Sequence, residues 1–355
     1  MDIRNIKNKI KKSDNDILML FKKRFELSLL EKRVSTVSKE GSVCTLNDQI
    51  DNLSSTSKLF GKDFIKTYDQ LMNREISSML NKPFSLIGFQ GDHGAYSEIA
   101  SKNFNNDLIP IPCKKFSDIV IGVDKDIFEV GLLPIENSIE GAVNEVNDLL
   151  IYSDLQIVGE VYQPIDHCLL TLKETNYREI KHVYSHPQAL AQCRGFIYRN
   201  QLESFPYYDT AGAAKMLSRK RQAATAVIAS KSCAKLYDLE IIKENIADKS
   251  INFTRFLILS KAASQIEGDK SSIIFTAKDE AGALYSILEL FKSENINLSR
   301  IESRPFKEKP GNYVFFVDFS GSDRDEKVKG ILNKIKNCTI FYKFLGCYKG
   351  KCMKT

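Results

Sequence analysis

The chain has 355 residues, of which 43% are hydrophobic and 27% charged, and its formal net charge is +6. This length suits two or three domains. The modest, dispersed charge fits a small anionic substrate, whereas nucleic-acid binding would call for an arginine-rich arm or a basic-aromatic repeat. No apolar run approaches the ~18 residues of a membrane span. Lysine and aspartate interrupt the first twenty positions, so we expect neither a membrane partner nor an export signal.

The eight cysteines are scattered along the chain. Cys168 and Cys233 lie inside apolar segments, which is typical of reduced core cysteines in a cytoplasmic protein. Cys347 and Cys352 form the nearest pair, but no second pair or histidine lies near enough to complete a zinc site. We therefore expect a cytoplasmic protein without a metal.

Residues 1–82 contain no convincing strand, so an all-helical domain is expected. A three- and four-residue apolar spacing predicts one long first helix, through Ile3, Ile6, Ile10, Ile17, Leu20, Phe21, Leu27 and Leu30. Residues 41–47 break the pattern, and shorter helices are predicted near 48–59 and 63–80. The basic residues of the first helix fit a solvated face or an anion site, and the pattern leaves both open.

The pattern changes at Lys82-Pro83, since a residue before proline is steered away from helical geometry. Strands then alternate with helices. The predicted strands are 84–90, 108–112, 130–135, 155–172 (interrupted near 164–166), 183–185, 203–208, 224–229 and 256–259. The predicted helices are 92–104, one from 117, 141–152, 187–199, 211–219 and a short one after 229. This alternation predicts two α/β lobes with mostly parallel sheets and a cleft between them, in the manner of a periplasmic binding protein.

The last ninety residues are expected to form a separate α+β unit. Strands are predicted at 272–277, 299–305, 313–319 and 339–348, and helices at 281–294 and 325–337. The order βαββαβ is that of a ferredoxin-like sandwich.

Several strand–helix junctions carry polar residues suited to an anion. Glycines at 88–94 let backbone N–H groups approach a ligand. Asn137 and Ser138 either bind a carboxylate or cap a helix. Ser185 and Thr210 precede two further helices. The stretch 249–260 places a Thr-Arg pair before an apolar run, either as ligand-binding groups at the rim of a sheet or as a solvated start of a strand. Residue chemistry indicates a site for a small dianion and goes no further.

Six motifs stand in order along 84–260: GFQGDHGAYSEIA (88–100), LLPIENSIEGAV (132–143), DHCLL (166–170), SHPQALAQC (185–193), YYDTAGAAKML (207–217) and NFTRFLIL (252–259). Together they resemble the prephenate dehydratase family. The resemblance implies conversion of prephenate to phenylpyruvate with loss of water and carbon dioxide, between two lobes and without a cofactor.

The resemblance also implies the site residues. Thr254 matches the catalytic threonine of the family, and we expect Glu136 and Arg255 to act with it. Asn137, Ser185 and Gln192 match further positions of the family's site, and we expect the helix N-termini at Gly94, Ser185 and Thr210 to receive the substrate carboxylates. Ser138, Gln188, Ser97 and Phe256 complete the expected substrate-binding set. Because threonine is a very weak acid, we expect Thr254 to donate a hydrogen bond to the leaving hydroxyl, with a proton relayed from a titratable group such as Glu136.

The C-terminal unit looks like the ACT regulatory domain of this family. Two phenylalanine-binding motifs match at Gly282, Ala283 and Leu284 and at Glu302, Ser303, Arg304 and Pro305, with Tyr285 at a position that is usually aliphatic. The resemblance implies phenylalanine as an effector and a homo-oligomer, dimeric or tetrameric.

Residues 1–82 resemble an all-helical chorismate mutase, which would give the chain a second substrate, chorismate. Arg24 matches the family's mid-helix arginine, and Asp48 falls at an acidic position. Lys7 stands in place of an arginine and Ser35 in place of a lysine. Lysine lacks the planar fork that grips a carboxylate through two bonds, so we expect weak or absent mutase activity.

These resemblances divide the chain into a mutase-like domain at 1–82, a dehydratase domain at 83–265 and a regulatory domain at 266–355. Two alternatives stay open. An arogenate dehydratase would differ only in its substrate, which carries an amine in place of the keto group. A catalytically silent amino-acid sensor would share the fold, but the Thr254-Arg255 pair and Glu136 favour an enzyme.

Overall fold

The computed structural model of the chain describes residues 3–38, 67, 70, 74, 78, 83–173, 175–309 and 311–350. The chain forms two units, Met1–Ser85 and Leu86–Thr355. In the described parts of both units, no helix is long and apolar enough to cross a membrane.

The first unit contains the long helix α1 (Ile3–Ser38), which confirms the helix predicted from the apolar spacing. Its second half buries Leu29, whereas Ile10 and Ile17 in its first half are exposed. The predicted helix at 48–59 and Asp48 lie outside the described residues. Of the predicted helix at 63–80, the described residues are helical: Thr67, Gln70, Arg74 and Ser78.

The first lobe of the second unit is a sheet of six strands. These are β1 (Leu86–Gln90), β2 (Ile109–Cys113), β3 (Val130–Asn137), β4 (Gly141–Ala142), β5 (Gln156–Pro164) and β11 (Phe253–Ser260), in the order β2-β1-β3-β11-β5 with β4 beside β3. The accompanying helices are α2 (Tyr96–Phe104), α3 (Phe116–Asp124) and α4 (Asn144–Tyr152). Ile87, Phe89, Leu132, Val161 and Ile258 form part of its core.

The second lobe is a sheet of five strands. These are β6 (Cys168–Leu172), β7 (His182–Ser185), β8 (Glu203–Pro206), β9 (Thr225–Ala229) and β10 (Leu239–Lys243), in the order β10-β6-β9-β7-β8. Its helices are α5 (Pro187–Gln192), α6 (Arg194–Arg199), α7 (Thr210–Lys220) and α8 (Lys231–Leu236). The chain passes between the lobes twice, after β5 and before β11. Backbone bonds join the two crossings, from Ile165 N to Asn252 O at 2.9 Å and from Ile246 N to His167 O at 3.0 Å.

The expectation of mostly parallel sheets is wrong. β1 is parallel to β2 and β3, and β7 is parallel to β8 and β9, but β11, β6 and β10 pair antiparallel with their neighbours. The parallel pairs come from strand–helix–strand units, as expected. The antiparallel strands flank the two crossings, where no helix intervenes to turn the chain back.

The C-terminal domain has four antiparallel strands and two helices. They follow as β12 (Lys270–Thr276), α9 (Ala283–Ser293), β13 (Leu298–Pro305), β14 (Tyr313–Ser320), α10 (Glu326–Cys338) and β15 (Phe341–Tyr348). The predicted order βαββαβ is confirmed, and the strands lie in the order β13-β14-β12-β15. Both helices cover one face of the sheet, through Ile287, Phe291, Ile331 and Ile335.

Four details differ from the prediction. Residues 141–142, predicted as the start of a helix, form the strand β4, and the helix begins at Asn144. β11 begins at Phe253, three residues earlier than expected, so Thr254 and Arg255 lie within the strand instead of preceding it. The predicted helix at 187–199 is two short helices that meet at Cys193. The strand β10 was not predicted, because its sequence LEIIK offers only two or three apolar residues between charged ones.

Candidate active site

The strand β11 presents adjacent residues to opposite sides of the first lobe. Thr254 pairs with Asn137 of β3, and Arg255 pairs with Glu136. Since successive side chains of a strand point to opposite faces, the register places Thr254 with Asn137 on one face and Arg255 with Glu136 on the other. The structure therefore brings Thr254 and Asn137 together, and it does not bring Glu136 or Arg255 to them.

On the first face, the Asn137 side chain is held at both ends. Its Oδ1 accepts from the backbone N–H groups of Ile139 (3.0 Å) and Glu140 (3.1 Å). Its Nδ2 donates to the backbone carbonyl of Phe253 (3.0 Å) and to Thr254 Oγ1 (3.1 Å). The neighbouring hydroxyl of Ser138 accepts from the backbone N–H of Phe253 at 3.1 Å. Asn137 Nδ2 is thus a fixed donor, whose two hydrogens are shared among Phe253 O, Thr254 Oγ1 and a third acceptor, Asn252 Oδ1 at 2.9 Å.

Hydrogen bonds continue from Asn137 to the second lobe. Asn137 Nδ2 donates to Asn252 Oδ1 (2.9 Å), and Asn252 Nδ2 donates to Gln192 Oε1 (2.9 Å). Gln192 Oε1 also lies 2.8 Å from His167 Nε2. His167 and Asn252 stand on the two crossings between the lobes and are buried. Burial lowers the pKa of His167, which favours the neutral ring.

Sequence reasoning missed His167 and Asn252 as site residues. Both lie inside quoted motifs, DHCLL and NFTRFLIL, so the signal was present. Their partners are separated from them by 25 and 60 residues in sequence, however, and nothing in the local pattern identifies such a contact.

On the opposite face, Arg255 is only 1% exposed and contacts four side chains. Its guanidinium donates to Glu160 (2.8 Å), Glu136 (3.1 Å), Asp318 (2.6 Å) and the Tyr348 hydroxyl (3.1 Å). Asp318 and Tyr348 belong to β14 and β15 of the C-terminal domain. Arg255 therefore joins the strand that carries Thr254 to the neighbouring domain.

Two further cations complete this charge cluster, which comprises Arg255, Lys270, Arg300, Glu136, Glu160 and Asp318. Lys270 lies 2.9 Å from Glu160, and Arg300 lies 3.6 Å from Glu136. Burial opposes ionisation of Asp318, yet the nearby Arg255 and Arg300 hold its pKa below the ordinary value. The three cations balance the three carboxylates, which is how buried charges are tolerated.

Side chains of the C-terminal domain also form hydrogen bonds to the helix α4, which follows the Glu136-Asn137 segment. Arg300 donates to Asn147 at 3.1 Å, and Arg304 to Asp148 at 3.3 Å. The Lys343 ammonium donates to the carbonyls of Leu150 (3.0 Å), Ile151 and Ser153. A cation at the last carbonyls satisfies the free acceptors at the end of a helix and complements its dipole.

The other predicted substrate-binding residues are distributed around the lobes. The Ser185 hydroxyl is buried and donates to Ile228 O, and the Ser97 hydroxyl donates to Gln90 O, both at 2.5 Å. The Gly94 N–H donates to Glu98 at 2.6 Å. Gln188 is exposed in the first turn of α5, and Thr210 is half-buried at the first position of α7. Phe256 is buried in the core of the first lobe.

A second polar cluster joins the lobes near the N-terminus of α7. Asp92 contacts Lys215 (2.5 Å) and the Tyr208 hydroxyl, and its N–H donates to Asp209 at 2.9 Å. Burial raises the pKa of Asp209. Although burial acts against it, hydrogen bonds from Lys215 and Tyr208 lower the pKa of Asp92. The pair therefore combines one firmly ionised carboxylate with one that protonates more readily.

The C-terminal domain contains a cavity of about 360 Å³ beside the start of α9. Gly282, Ala283 and Leu284 line it, together with Tyr313 and Phe315 from the neighbouring strand. Gly282 has a φ of +84°, a conformation that strongly favours glycine. The second predicted motif lies on β13, outside this lining, and its Arg304 turns to Asp148 instead.

Of the mutase-like residues, Lys7 is exposed on α1. Arg24 is half-buried and donates to Ser28 Oγ of its own helix at 2.5 Å. Ser35 is half-buried. In none of the described ranges do three or more His, Cys, Asp or Glu residues cluster so as to hold a metal ion.

Residues 87–264 match the family model of prephenate dehydratase, and residues 271–337 match that of the ACT domain. The chain is 33% identical over 360 residues to a bifunctional chorismate mutase/prephenate dehydratase of Aquifex aeolicus, with 98% of each chain covered. It is 35% identical to the chloroplastic arogenate dehydratase/prephenate dehydratase 2 of Arabidopsis thaliana, covering 78% of this chain and 76% of that one.

Two solved structures are similar to the chain over about three quarters of its length. A prephenate dehydratase of Arthrobacter aurescens in complex with L-Phe has a TM-score of 0.68 and 29% identity, covering 75% of this chain and 90% of that one. GqqA, described as a novel type of quorum quenching acylase, has a TM-score of 0.70 and 30% identity, covering 76% of this chain and all of that one.

Proposed function

The chain belongs to the prephenate dehydratase family, and we propose that the face of β11 carrying Thr254 is where it converts prephenate to phenylpyruvate, carbon dioxide and water. The contact between Thr254 and Asn137 carries this proposal. It joins two motifs that lie 117 residues apart in sequence, and it leaves the half-buried Thr254 hydroxyl with its own proton to donate.

The reaction requires two bonds to break in concert with aromatisation. The bond from the ring to its carboxylate breaks, and its electron pair enters the ring as carbon dioxide departs. The bond from the ring to the hydroxyl breaks at the other end of the ring, the oxygen takes the electron pair of that bond, and the hydroxide so formed becomes water with a proton from solvent. Thr254 donates a hydrogen bond to the leaving oxygen, and donation from Asn137 to Thr254 Oγ1 polarises the threonine O–H further.

For Glu136 and Arg255 we propose a positioning role in place of the catalytic role expected from the sequence. Glu136 is bound by Arg255 at 3.1 Å and by Arg300 at 3.6 Å, on the face of the sheet away from Thr254. Both residues instead fix the strands β3 and β11 against the C-terminal domain.

For binding of the two substrate carboxylates, we propose Gln192 and the N-terminal turn of α7 at Thr210. At this end of the eleven-residue helix, Asp209 already accepts from the Gly212 N–H, so the group proposed to meet the carboxylate is Thr210 itself. The Ser97, Ser185 and Gly94 donors are already used within the protein. We therefore assign these three to the support of the lobes, with Gln188 and Ser138 at the edge of the cleft and Phe256 in the core.

We propose phenylalanine as an inhibitor that binds at the cavity beside Gly282, Ala283 and Leu284. The similarity to the Arthrobacter aurescens structure supports this assignment. The motif at Glu302–Pro305 contributes through Arg304, which ties the sensor domain to Asp148 of α4.

The domain boundaries proposed are 1–82, 83–265 and 266–355, with lobes arranged like a periplasmic binding protein. The exposed Ile10 and Ile17 on α1 support a homo-oligomer in which a second copy covers this helix. Mutase activity in the first domain is proposed to be weak. Among the described cysteines, six are free thiols, which supports a cytoplasmic protein.

The direct test incubates purified protein with prephenate and follows phenylpyruvate, with and without phenylalanine. Thr254→Ser is expected to keep much of the rate. Thr254→Ala is expected to lose about a hundredfold or more in kcat, as for removal of one transition-state donor. Near-normal turnover of the alanine variant would overturn the assignment. A parallel assay with arogenate decides between the two substrates, because the relative in Arabidopsis thaliana is named for both.

A further inference from the structure

The hydrogen-bond chain from Asn137 to His167 has only one possible direction. Backbone N–H groups are always donors and backbone carbonyls are always acceptors. The N–H groups of Ile139 and Glu140 therefore make Asn137 Oδ1 the acceptor, and the carbonyl of Phe253 makes Asn137 Nδ2 the donor. The amide of Asn137 cannot be reversed.

The orientation of Asn137 in turn determines the orientation of Asn252 and Gln192. Because Asn137 Nδ2 is a donor, the Asn252 atom 2.9 Å away must be its oxygen, and Asn252 Nδ2 then faces Gln192. The Gln192 atom 2.9 Å from Asn252 Nδ2 must in turn be its oxygen. In the part of the chain that the structure describes, the Gln192 Nε2 amide group makes no hydrogen bond.

At its last member, the series of hydrogen bonds determines the tautomer of His167. The Gln192 oxygen lies 2.8 Å from His167 Nε2, so this nitrogen must carry the proton. The other nitrogen, Nδ1, lies 3.3 Å from the Tyr96 hydroxyl, whose proton goes to the carbonyl of Asp166 at 2.6 Å. A proton on Nδ1 would gain only this longer contact and would set two lone pairs against each other at 2.8 Å.

We propose that His167 and Asn252 are positioning residues that hold Gln192 by its oxygen. With both lone pairs of Oε1 occupied, Gln192 can meet a substrate only through its amide hydrogens. Thr254, which accepts from Asn137, likewise keeps its own proton to donate. Both groups are thus fixed as donors to the oxygens of an anionic substrate: a carboxylate at Gln192 and the leaving hydroxyl at Thr254. The substrate's identity rests on the proposed function, but the direction of the chain does not.

The first test is independent of activity. In the intact protein labelled with 15N-histidine, the ring nitrogens of His167 are expected to show the Nε2–H tautomer at neutral pH. The chain has four histidines, and His167→Gln assigns the signals. Asn252→Asp places an oxygen opposite the Gln192 oxygen, so the Gln192 amide turns round and His167 becomes an acceptor. We expect this variant to show the Nδ1–H tautomer. An Nδ1–H wild type, or an unchanged tautomer in Asn252→Asp, would overturn the proposal.

The second test is kinetic. His167→Phe removes the donor and keeps a ring, and it is expected to raise KM for prephenate roughly ten- to a hundredfold, the value of one hydrogen bond to a charged group. His167→Gln, whose amide nitrogen reaches the Nε2 position, is expected to restore most of the loss. A merely structural role would lower the folded fraction and leave KM unchanged, a result that would refute positioning. If His167→Phe fails to fold, Asn252→Asp provides both readouts, because the turned Gln192 amide presents its oxygen to the substrate carboxylate and is expected to raise KM by a similar factor.

The outcomes separate this inference from the proposed function. A wild type that shows the Nε2–H tautomer but leaves prephenate unchanged would contradict the proposed function alone. A wild type that converts prephenate but shows the Nδ1–H tautomer would contradict the positioning role alone.

Discussion

The substitution Asp318→Asn tests whether the charge cluster holds the C-terminal domain to the first lobe. Asp318 is 4% exposed and accepts from Arg255 Nη1 and from Ser272 Oγ, each at 2.6 Å. Asparagine preserves the shape and the contact with Ser272 but removes the charge. Arg255 keeps Glu160 and Glu136 as partners, so it is not left unpaired.

The expected loss in the free energy of unfolding follows from these contacts. Breaking a buried ion pair by removal of one partner costs about 3–5 kcal/mol, and a hydrogen bond to a charged group contributes about 1.5–3 kcal/mol. Because Arg255 retains two carboxylates, we expect Asp318→Asn to lower the free energy of unfolding by about 2–3 kcal/mol. Urea unfolding followed by far-UV circular dichroism measures it, since the chain has no tryptophan.

Glu326→Gln is the matched control. Glu326 also forms an ion pair in the C-terminal domain, with Lys329 at 2.8 Å, but the two side chains are 88% and 49% exposed. Exposed ion pairs of this kind contribute little to folding stability, so we expect Glu326→Gln to leave the urea midpoint unchanged. If Asp318→Asn and Glu326→Gln unfold at the same midpoint, burial does not strengthen this pair and the reasoning fails.

A double-mutant cycle isolates the coupling between the domains. Arg255→Met alone leaves Asp318 without a cation in direct contact, whereas Arg255→Met with Asp318→Asn leaves Glu160 paired with Lys270 and Glu136 beside Arg300. The double variant is expected to be more stable than the sum of the single effects by about 1–3 kcal/mol. Strictly additive effects would show that Arg255 and Asp318 do not interact.

A 1–265 truncation is expected to lose its response to phenylalanine, and an undiminished response would place the sensor elsewhere. Ser35→Lys is expected to raise chorismate consumption about tenfold or more by restoring a cation, whereas a wild type as fast as a dedicated mutase would show that the cationic positions are misaligned. The stability gap between wild type and Asp318→Asn is expected to narrow as the pH falls below about 4. The lowered pKa of Asp318 means that its contribution is complete above the unfolded pKa and is lost on acidification through the folded pKa, so a constant gap in urea titrations down to pH 2–3 would contradict it.

The sequence was sufficient for most of the order of elements, because apolar runs and turn residues are local, but it missed the strand β10. It predicted the βαββαβ order of the C-terminal domain and the long helix α1. It was insufficient for the start of β11, where the polar residues at 252–255 mask a strand that pairs on both sides. That shift of three residues decides which face each side chain occupies.

The same limit explains the site. Motif order was enough to group Thr254, Asn137 and Gln192, which the structure links through Asn252. It could not show that Arg255 is bound by Asp318, 63 residues later and in another domain. Such a contact depends on how one sheet packs against another, and no local pattern encodes it.

Because successive side chains of β11 lie on opposite faces of the sheet, this strand connects the C-terminal domain directly to Thr254. Thr254 and Arg255 are consecutive residues of one strand, with hydrogen-bonded neighbours on both sides. A strand of this kind moves as a unit, so a displacement of Asp318 that pulls Arg255 also moves Thr254. A misplacement of about 1 Å at a reacting group can cost about a hundredfold in rate. We therefore expect phenylalanine to inhibit by displacing β14, a shift of about 1 Å that Arg255 would pass to Thr254.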